Sequence, residues 1–150
     1  MRTVEAVTEI PAGTAAVWAV LTDFPRYPEW ATYIQQIDGR AVTGARLRLV
    51  EGPPGRRPYR VRTVVIEATA GVRLAWAAAI PGVPRLPTVI FSGIHEFILD
   101  ALPDGGTRLT HREYFGGILS RLSEEGARGA DTGFKAFNST LRGRVQELVG

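Results

Sequence analysis

The chain has 150 residues, of which 45% are hydrophobic and 22% charged, a composition typical of one globular domain. It contains no cysteine, which excludes disulfides, thiol catalysis and thiolate–metal sites. The longest apolar run, residues 74–80, is too short to span a bilayer, and the N-terminus lacks the apolar block of a signal peptide. We therefore expect a single cytoplasmic domain over residues 1–150 with no membrane span.

The positive charge is spread along the chain. The net charge is +3, and Lys135 is the one lysine among 18 basic residues. No basic run is longer than Arg56 and Arg57, whereas nucleic-acid binders usually show a basic stripe or helix. The pattern predicts no nucleic-acid partner.

The first half of the chain indicates short helices and several strands. Alternation over residues 3–10 predicts a strand. Thr14 is a candidate N-cap for a helix over residues 15–21, and Pro28 suits the first turn of a second short helix. Further strands are predicted over residues 34–38, 45–51, 59–68 and 73–79, with a proline-rich loop at residues 52–58.

The second half predicts a hairpin and a long helix. After a loop at residues 80–87, strands are predicted over residues 89–102 and 107–115. An amphipathic helix is predicted from about residue 131 to 149, after a helix-like segment interrupted by glycines. Its apolar stripe is formed by Phe134, Phe137, Leu141, Val145 and Leu148.

This order of elements predicts an α+β fold. Six consecutive strands with short connections favour an antiparallel sheet, and their alternation indicates one buried face. The C-terminal helix is the one element long enough to cover that face. We therefore predict a curved antiparallel sheet of about seven strands wrapped around the C-terminal helix.

Both histidines of the chain lie on the predicted hairpin. Alternation places His95 and Phe97 on one face of the first strand, and His111 and Glu113 on the same face of the second. With a turn centred on residues 102–105, His95 lies near His111, and Glu113 lies one diagonal step away. Titratable groups on an apolar face cost free energy unless they bond to each other, to water, to a ligand or to a metal.

Several segments together resemble a known family. They are residues 17–24, 27–30, 74–76, 93–97, 105–113 and 133–138. Their order resembles the helix-grip fold of the START/Bet v 1-like (SRPBCC) superfamily, and within it the small bacterial polyketide cyclase/dehydrase-like proteins. One departure is that Ala31 and Thr32 stand where the family often has Asn-Pro.

The resemblance implies a hydrophobic cavity between the sheet and the long helix. Its mouth would be formed by residues 52–58, residues 80–87 and the start of that helix. The implied function is binding of a small or medium hydrophobic ligand, polyketide-like, aromatic or lipid-like, with cyclase/dehydratase activity left open and no cofactor. A non-catalytic lipid or hydrophobe carrier and a protein-interaction module are the alternatives.

Three interpretations of the hairpin residues remain open. His95, His111 and Glu113 match the ligand set of non-haem iron and some zinc sites, although the resembled family is not typically metal-dependent, and we predict no metal. His95 as the acid–base group with Glu113 as its orienter is the catalytic interpretation. A polar patch that merely orients a ligand is the third.

The ligand-binding candidates are the remaining polar and aromatic residues near the predicted cavity. Trp18 is predicted to be core, and Asn138 lies on the apolar helix stripe, where its amide bonds the helix or sheet or points into the cavity. The candidates are His111, Trp30, Trp76, Phe97, Phe115, Phe134 and Asn138.

Arginines near the predicted mouth suggest an acidic partner. Arg56, Arg57, Arg85 and Arg121 would attract a carboxylate ligand or an acidic, phosphopantetheine-bearing carrier protein, or they are solvated surface charge. The exposed sheet edge is compatible with a monomer or a homodimer.

Overall fold

The computed structural model describes residues 2–53, 55–78, 93–115 and 124–150, without the side chains of Arg2, Phe115 and residues 124–127. The helices are α1 (Thr14–Thr22), a 3₁₀ helix (Phe24–Glu29) and α2 (Glu124–Val149). The strands are β1 (Arg2–Ile10), β2 (Ile34–Asp38), β3 (Arg46–Glu51), β4 (Tyr59–Thr69), β5 (Arg73–Ala78), β6 (Gly93–Ala101) and β7 (Thr107–Phe115).

The strands form one antiparallel sheet in the order β1-β7-β6-β5-β4-β3-β2. Consecutive strands from β2 to β7 pair with one another, and β1 pairs with β7 to form the edge opposite β2. The sheet curls around α2, which confirms the predicted α+β helix-grip fold. Among the described residues, no helix is long and apolar enough to cross a membrane.

The concave face of the sheet and α2 enclose the core. In β3, Leu47 and Leu49 are buried while Arg46 and Arg48 are exposed, as expected of a strand with one covered face. The stripe of α2 is fully buried from Phe134 to Val145, but Leu148 is 63% exposed because it lies near the end of the helix. Trp18, which the sequence predicts to be in the core, is partly buried and packs against the buried core residues.

The two predicted short helices start elsewhere. The N-cap of α1 is Gly13, in extended backbone and without a side-chain cap hydrogen bond, so Thr14 is the first helical residue. The second helix is a 3₁₀ helix that begins at Phe24 and carries Pro28 in its last turn. Because proline has no N–H to donate, Pro25 suits the first turn of this helix, whereas Pro28 inside the helix leaves one backbone hydrogen bond unmade.

The helix α2 begins at Glu124, well before the predicted start near residue 131. Gly126 and Gly129 do not interrupt it. A side chain at Gly129 would lie 3.3 Å from Pro53, so this glycine permits a close approach of the loop to the helix. The predicted loop at residues 80–87 and the segments 89–92 and 118–123 lie outside the described residues.

The convex face carries a ladder of ion pairs across five strands. Glu96 in β6 is 3% exposed and accepts hydrogen bonds from Arg73 of β5 and Arg112 of β7. Arg112 also donates to Glu5 of β1, and Arg73 donates to Glu67 of β4. Both arginines at the centre of this face are therefore neutralised by carboxylates.

Candidate functional site

The hairpin β6–β7 brings the predicted polar residues together in a different register. His95 is directly opposite Glu113, and Phe97 is directly opposite His111. The predicted register differs by one residue pair because the loop spans residues 102–106. In this loop the Leu102 N–H donates to the Gly106 carbonyl, and the Asp104 side chain accepts from the Gly106 N–H. His111 is therefore the diagonal neighbour of His95, and Glu113 the direct one.

A chain of hydrogen bonds links both histidines to the C-terminal helix. His95 Nε2 lies 2.6 Å from His111 Nε2, and His111 Nδ1 lies 3.0 Å from Asn138 Oδ1. Asn138 Nδ2 donates to the Ala6 carbonyl and to Thr8 Oγ1, both at 3.2 Å. The sequence left two alternatives for the Asn138 amide, a bond to the helix or sheet and a position in the cavity. The described hydrogen bonds of Asn138 join α2 to the sheet, as in the first alternative.

These partners determine which ring nitrogens carry protons. The Ala6 carbonyl only accepts, so the Asn138 amide nitrogen faces it and Oδ1 faces His111. His111 Nδ1–H must therefore be the donor to Oδ1. Burial, and then the neighbouring His95, lower the pKa of His111 well below its usual value, so its Nε2 is an unprotonated acceptor. His95 Nε2–H is then the donor of the bond between the two rings.

The second ring nitrogen of His95, Nδ1, faces a carboxylate. With the proton of the neutral ring held on Nε2, Nδ1 keeps its lone pair. This atom lies 3.5 Å from Glu113 Oε2, and the side chains of His95 and Glu113 are 5% and 18% exposed. A proton taken up at Nδ1 is directed at a carboxylate, which is the arrangement of an acid–base pair.

Aromatic rings enclose the two histidines. Trp76 stacks on His95 at 5.0 Å, and Phe134 stacks on His111 at 3.9 Å. Phe97 contacts both imidazoles, at 5.3 and 4.3 Å. The sequence-predicted residues Trp76, Phe97, Phe134 and Asn138 therefore all contact the histidine pair.

Two other predicted site residues are placed differently. The Trp30 ring contacts Tyr27 at 4.8 Å and Phe137 at 5.4 Å, which puts it one ring away from the histidines. Phe115 ends β7, and its side chain lies outside the described residues.

The concave face carries a second polar group that was not predicted from the sequence. Glu51 ends β3 and pairs with Tyr59 at the start of β4. Burial raises the pKa of Glu51 to about 7. The charge of His95 lowers this pKa, and the charge of Glu113 raises it further. Burial, followed by the charge of Glu51, raises the pKa of Tyr59 to about 12. Alternation with Leu47 and Leu49 was a signal in the sequence that could have placed Glu51 on this face.

Tyr33 joins this second group from the segment before β2. Burial, followed by Tyr59, raises the pKa of its hydroxyl, and its ring meets Phe134 edge-on at 5.5 Å. Tyr33 has a φ of 65°, a left-handed conformation that is uncommon and costly for a bulky residue. The fold thus holds this tyrosine against the helix in a strained conformation.

One buried hydroxyl of the concave face is unsatisfied. Thr63 of β4 is 5% exposed, and its Oγ1 is without a hydrogen-bond partner in the described structure. An orphaned buried polar atom costs about 1–3 kcal/mol. A polar group of a bound molecule is one means of removing this cost.

The metal interpretation of the hairpin residues and the predicted arginine rim can be compared with the described residues only. Within the described ranges, no group of three or more His, Cys, Asp or Glu residues is arranged to hold a metal ion. Arg56 and Arg57 are exposed in the loop before β4. Arg85 and Arg121 lie outside the described residues, so the predicted rim is only partly described.

Solved structures with this fold come from several kinds of protein. A START superfamily protein from Mycobacterium smegmatis is 17% identical over 97% of this chain and 98% of its own, with a TM-score of 0.72. The Aha1 dimer from Colwellia psychrerythraea is 14% identical over 97% and 96%, with a TM-score of 0.70. Thalictrum norcoclaurine synthase, solved as a point mutant with a transition-state analogue, is 14% identical over 99% and 96%, with a TM-score of 0.68.

These likenesses show a shared fold, since all three identities are low. No curated protein matches the chain. A family model described as polyketide cyclase / dehydrase and lipid transport matches residues 1–146, and both this family and the fold are consistent with the binding of hydrophobic ligands. The chain therefore belongs to the polyketide cyclase/dehydrase and lipid transport family, and it shares its fold with the START superfamily protein.

Proposed function

We propose that the protein binds a small or medium hydrophobic molecule, polyketide-like, aromatic or lipid-like, between the concave face of the sheet and α2, and transfers protons to and from it. The observation that carries this proposal is the hydrogen-bonded chain from Asn138 through His111 to His95, which leaves His95 Nδ1 beside Glu113. The buried aromatic rings around the histidines make the surroundings of this pair apolar.

The proton transfers of a cyclisation or dehydration match this arrangement. His95 Nδ1 removes a proton from the carbon beside a ligand carbonyl, and Glu113 stabilises the imidazolium that forms. In a dehydration, the same proton then passes from Nδ1 to the departing hydroxyl group, which leaves as water. Glu51, with a pKa of about 7, is a second group that holds or releases a proton near neutral pH.

Two features support ligand binding independently of chemistry. The Thr63 hydroxyl on the concave face is unsatisfied, and Tyr33 and Tyr59 place further hydroxyls near Glu51. A mostly apolar site with a few convergent polar groups is the usual composition of a small-molecule site. The neighbours of this fold include an enzyme with a bound transition-state analogue, which is compatible with such a site.

The first experiment is mass spectrometry of the freshly purified protein, native and then denatured. A hydrophobic molecule that is released on denaturation would support the proposed ligand class and identify its chemistry. If none is present, titration with the fluorescent hydrophobe N-phenylnaphthylamine measures whether the protein takes up an apolar probe.

Proton transfer is tested with nitrobenzisoxazole, an apolar probe that opens when a base removes its carbon-bound proton. We expect His95→Ala to lower the rate about tenfold or more while the affinity for N-phenylnaphthylamine stays within about twofold. Leu148→Ala, an exposed position of α2, is the control and should change neither quantity.

The alternatives give different results in the same assays. A carrier would bind the hydrophobe and show no rate that depends on His95. A protein-interaction module would bind neither probe, and the search would move to partner capture, starting with acidic carrier proteins at Arg56 and Arg57. Loss of the rate in His95→Ala with unchanged probe binding distinguishes the proposal from both.

A further inference from the structure

A groove outside the concave core lies along β2, β3 and β4, next to the 3₁₀ helix. Its volume is about 490 Å³, within the usual range of small-molecule sites. Its lining includes Arg48, Arg60, Arg62 and Gln36, with Pro25 and Pro28 of the 3₁₀ helix.

The three arginines point away from the core. Arg48 alternates with the buried Leu47 and Leu49 along β3, and Arg60 and Arg62 flank the partly buried Val61 in β4. Their guanidinium groups therefore belong to the convex face of the sheet. The groove is a separate feature from the histidine chain, which lies on the concave face.

These arginines carry charge that the described part of the chain leaves uncompensated. Arg48 is directly opposite Arg62 in the β3–β4 ladder, and like charges in this position repel each other. Among the ion pairs and hydrogen bonds of the described residues, none involves Arg48, Arg60 or Arg62.

Other arginines of the same convex face are neutralised. Arg73 of β5 bonds Glu67 and Glu96, and Arg112 of β7 bonds Glu5 and Glu96. The contrast confines the uncompensated charge to β3 and β4, where the groove lies. Asp38 lies opposite Arg48 on β2 and in the groove lining, so the described lining holds three guanidinium groups and one carboxylate.

We propose that this groove binds a small organic molecule that carries two or more oxyanion groups, phosphate or carboxylate. Guanidinium groups bind both oxyanions through paired, charge-assisted hydrogen bonds. A bound oxyanion would also relieve the repulsion between Arg48 and Arg62. Gln36 and the two prolines supply neutral surface for the remainder of the molecule.

The test is calorimetric titration of the protein with sodium pyrophosphate and, separately, with sodium citrate at low ionic strength. Binding of pyrophosphate alone identifies phosphate as the recognised group, and binding of citrate alone identifies carboxylate. We expect Arg62→Gln to lower the affinity for the anion about tenfold. The Tm should not fall, because the substitution removes the repulsion between Arg62 and Arg48.

A matched control lies on the same strand. Arg46 is exposed on β3 and is not among the groove residues, so Arg46→Gln makes the same change in net charge outside the groove. We expect it to change the affinity less than about twofold, because exposed charges outside the contact act mainly through a screened field. Asp38→Asn, which removes the one carboxylate of the groove, should strengthen binding.

Other results would overturn the proposal. If Arg46→Gln and Arg62→Gln weaken binding equally, the anion responds to net charge and the groove is not a site. If neither anion binds, the proposed small-molecule site is refuted. The same conclusion follows if an acidic peptide such as polyglutamate binds and the two anions do not. None of these results bears on the concave face, so the proposed function is tested separately.

Discussion

Asn138 decides the proton positions of both histidines. Its amide is held by β1 through Ala6 and Thr8, and it presents Oδ1 to His111. Along the hydrogen-bonded series from Asn138 through His111 to His95, each ring nitrogen has one partner. The orientation of the Asn138 amide therefore places a proton on Nε2 of His95 and leaves Nδ1, which faces Glu113, without one. Asn138 is therefore a positioning residue for the proposed acid–base pair.

We predict that His111 is neutral with its proton on Nδ1, and that His95 carries a proton on Nε2. Nitrogen NMR of the imidazoles measures both tautomers directly. In Asn138→Leu, the preference of His111 for Nδ1–H should be lost. A wild-type His111 protonated on Nε2 would contradict the deduced direction of the hydrogen bonds.

The lowered pKa of His111 also predicts a pH dependence of stability. The unfolded chain takes up a proton on this histidine as the pH falls below about 6.5, whereas the folded protein does so only at lower pH. The contribution of His111 to the free energy of unfolding should therefore decrease as the pH falls below that value. In the folded protein, its NMR signals should therefore titrate at a lower pH than those of a free histidine, whose pKa is about 6.5.

Glu51 predicts the opposite trend, because its folded pKa is raised from 4.5 to about 7. The folded state binds the extra proton between these values, so the contribution of Glu51 to stability is present at low pH and is lost as the pH rises through 7. We expect Glu51→Gln to match the wild-type Tm near pH 4.5 and to exceed it at about pH 8.

The control for Glu51 is Glu9→Gln. The Glu9 side chain is 65% exposed and lies 3.6 Å from Arg108, a surface pair of small energetic effect. Its Tm difference from the wild type should not vary with pH over the same range. An equal response of both variants would show that overall charge, and not the buried position of Glu51, causes the effect.

At the scale of elements, α2 lies so close to the segment before β2 that one glycine is required. A side chain at Gly133 would collide with the Tyr33 ring, whereas one at Gly143 would meet nothing within 4 Å. Both positions lie in the same helix, so the two alanine substitutions differ in tertiary contact and not in helix propensity.

We predict opposite effects for the two substitutions. Gly143→Ala should raise the free energy of unfolding by about 0.5–1 kcal/mol, because alanine is the better helix former. Gly133→Ala should lower it by about 1–3 kcal/mol, because Tyr33 or the helix must shift. Urea unfolding measures both, and stabilisation by Gly133→Ala would contradict the described packing of α2 on Tyr33.

At the scale of the whole molecule, Phe137 connects elements from distant parts of the chain. Its ring contacts Tyr27 and Trp30 around the 3₁₀ helix, Phe97 of β6 and His111 of β7. These contacts join the 3₁₀ helix, the sheet and α2 into one aromatic cluster. Such a cluster favours cooperative unfolding of the domain as a unit.

Truncation of this ring should therefore have a global effect. We expect Phe137→Ala to lower the free energy of unfolding by about 3–5 kcal/mol, through lost burial and the cavity that remains. Far- and near-ultraviolet circular dichroism should report the same transition. Leu148→Ala, on the exposed end of the same helix, should cost no more than about 0.5 kcal/mol.

Most of the fold could be predicted from the sequence because strand alternation and helical periodicity are local properties. The strands β2 and β7 were predicted with their observed bounds, and the others to within a few residues where described. The start of α2 was wrong because Gly129 is accommodated by a tertiary contact with Pro53. No local pattern contains that information.

The candidate site could be predicted only in part. Alternation placed His95, His111 and Glu113 on one face, but their pairing depended on a turn whose closure by Asp104 was not recognised. Glu51 was overlooked, because the electrostatic effect of His95 on its pKa acts across two intervening strands of the sheet.

The sequence by itself determined the fold class, the face that carries both histidines and the apolar stripe that covers them, because each follows from residue spacing along one element. The tertiary structure alone decided the register of the hairpin, the link from His111 to Asn138, the approach of Glu51 and the grouping of the convex arginines. These features depend on distances between elements far apart in the chain, which arise only when the sheet curls around the helix.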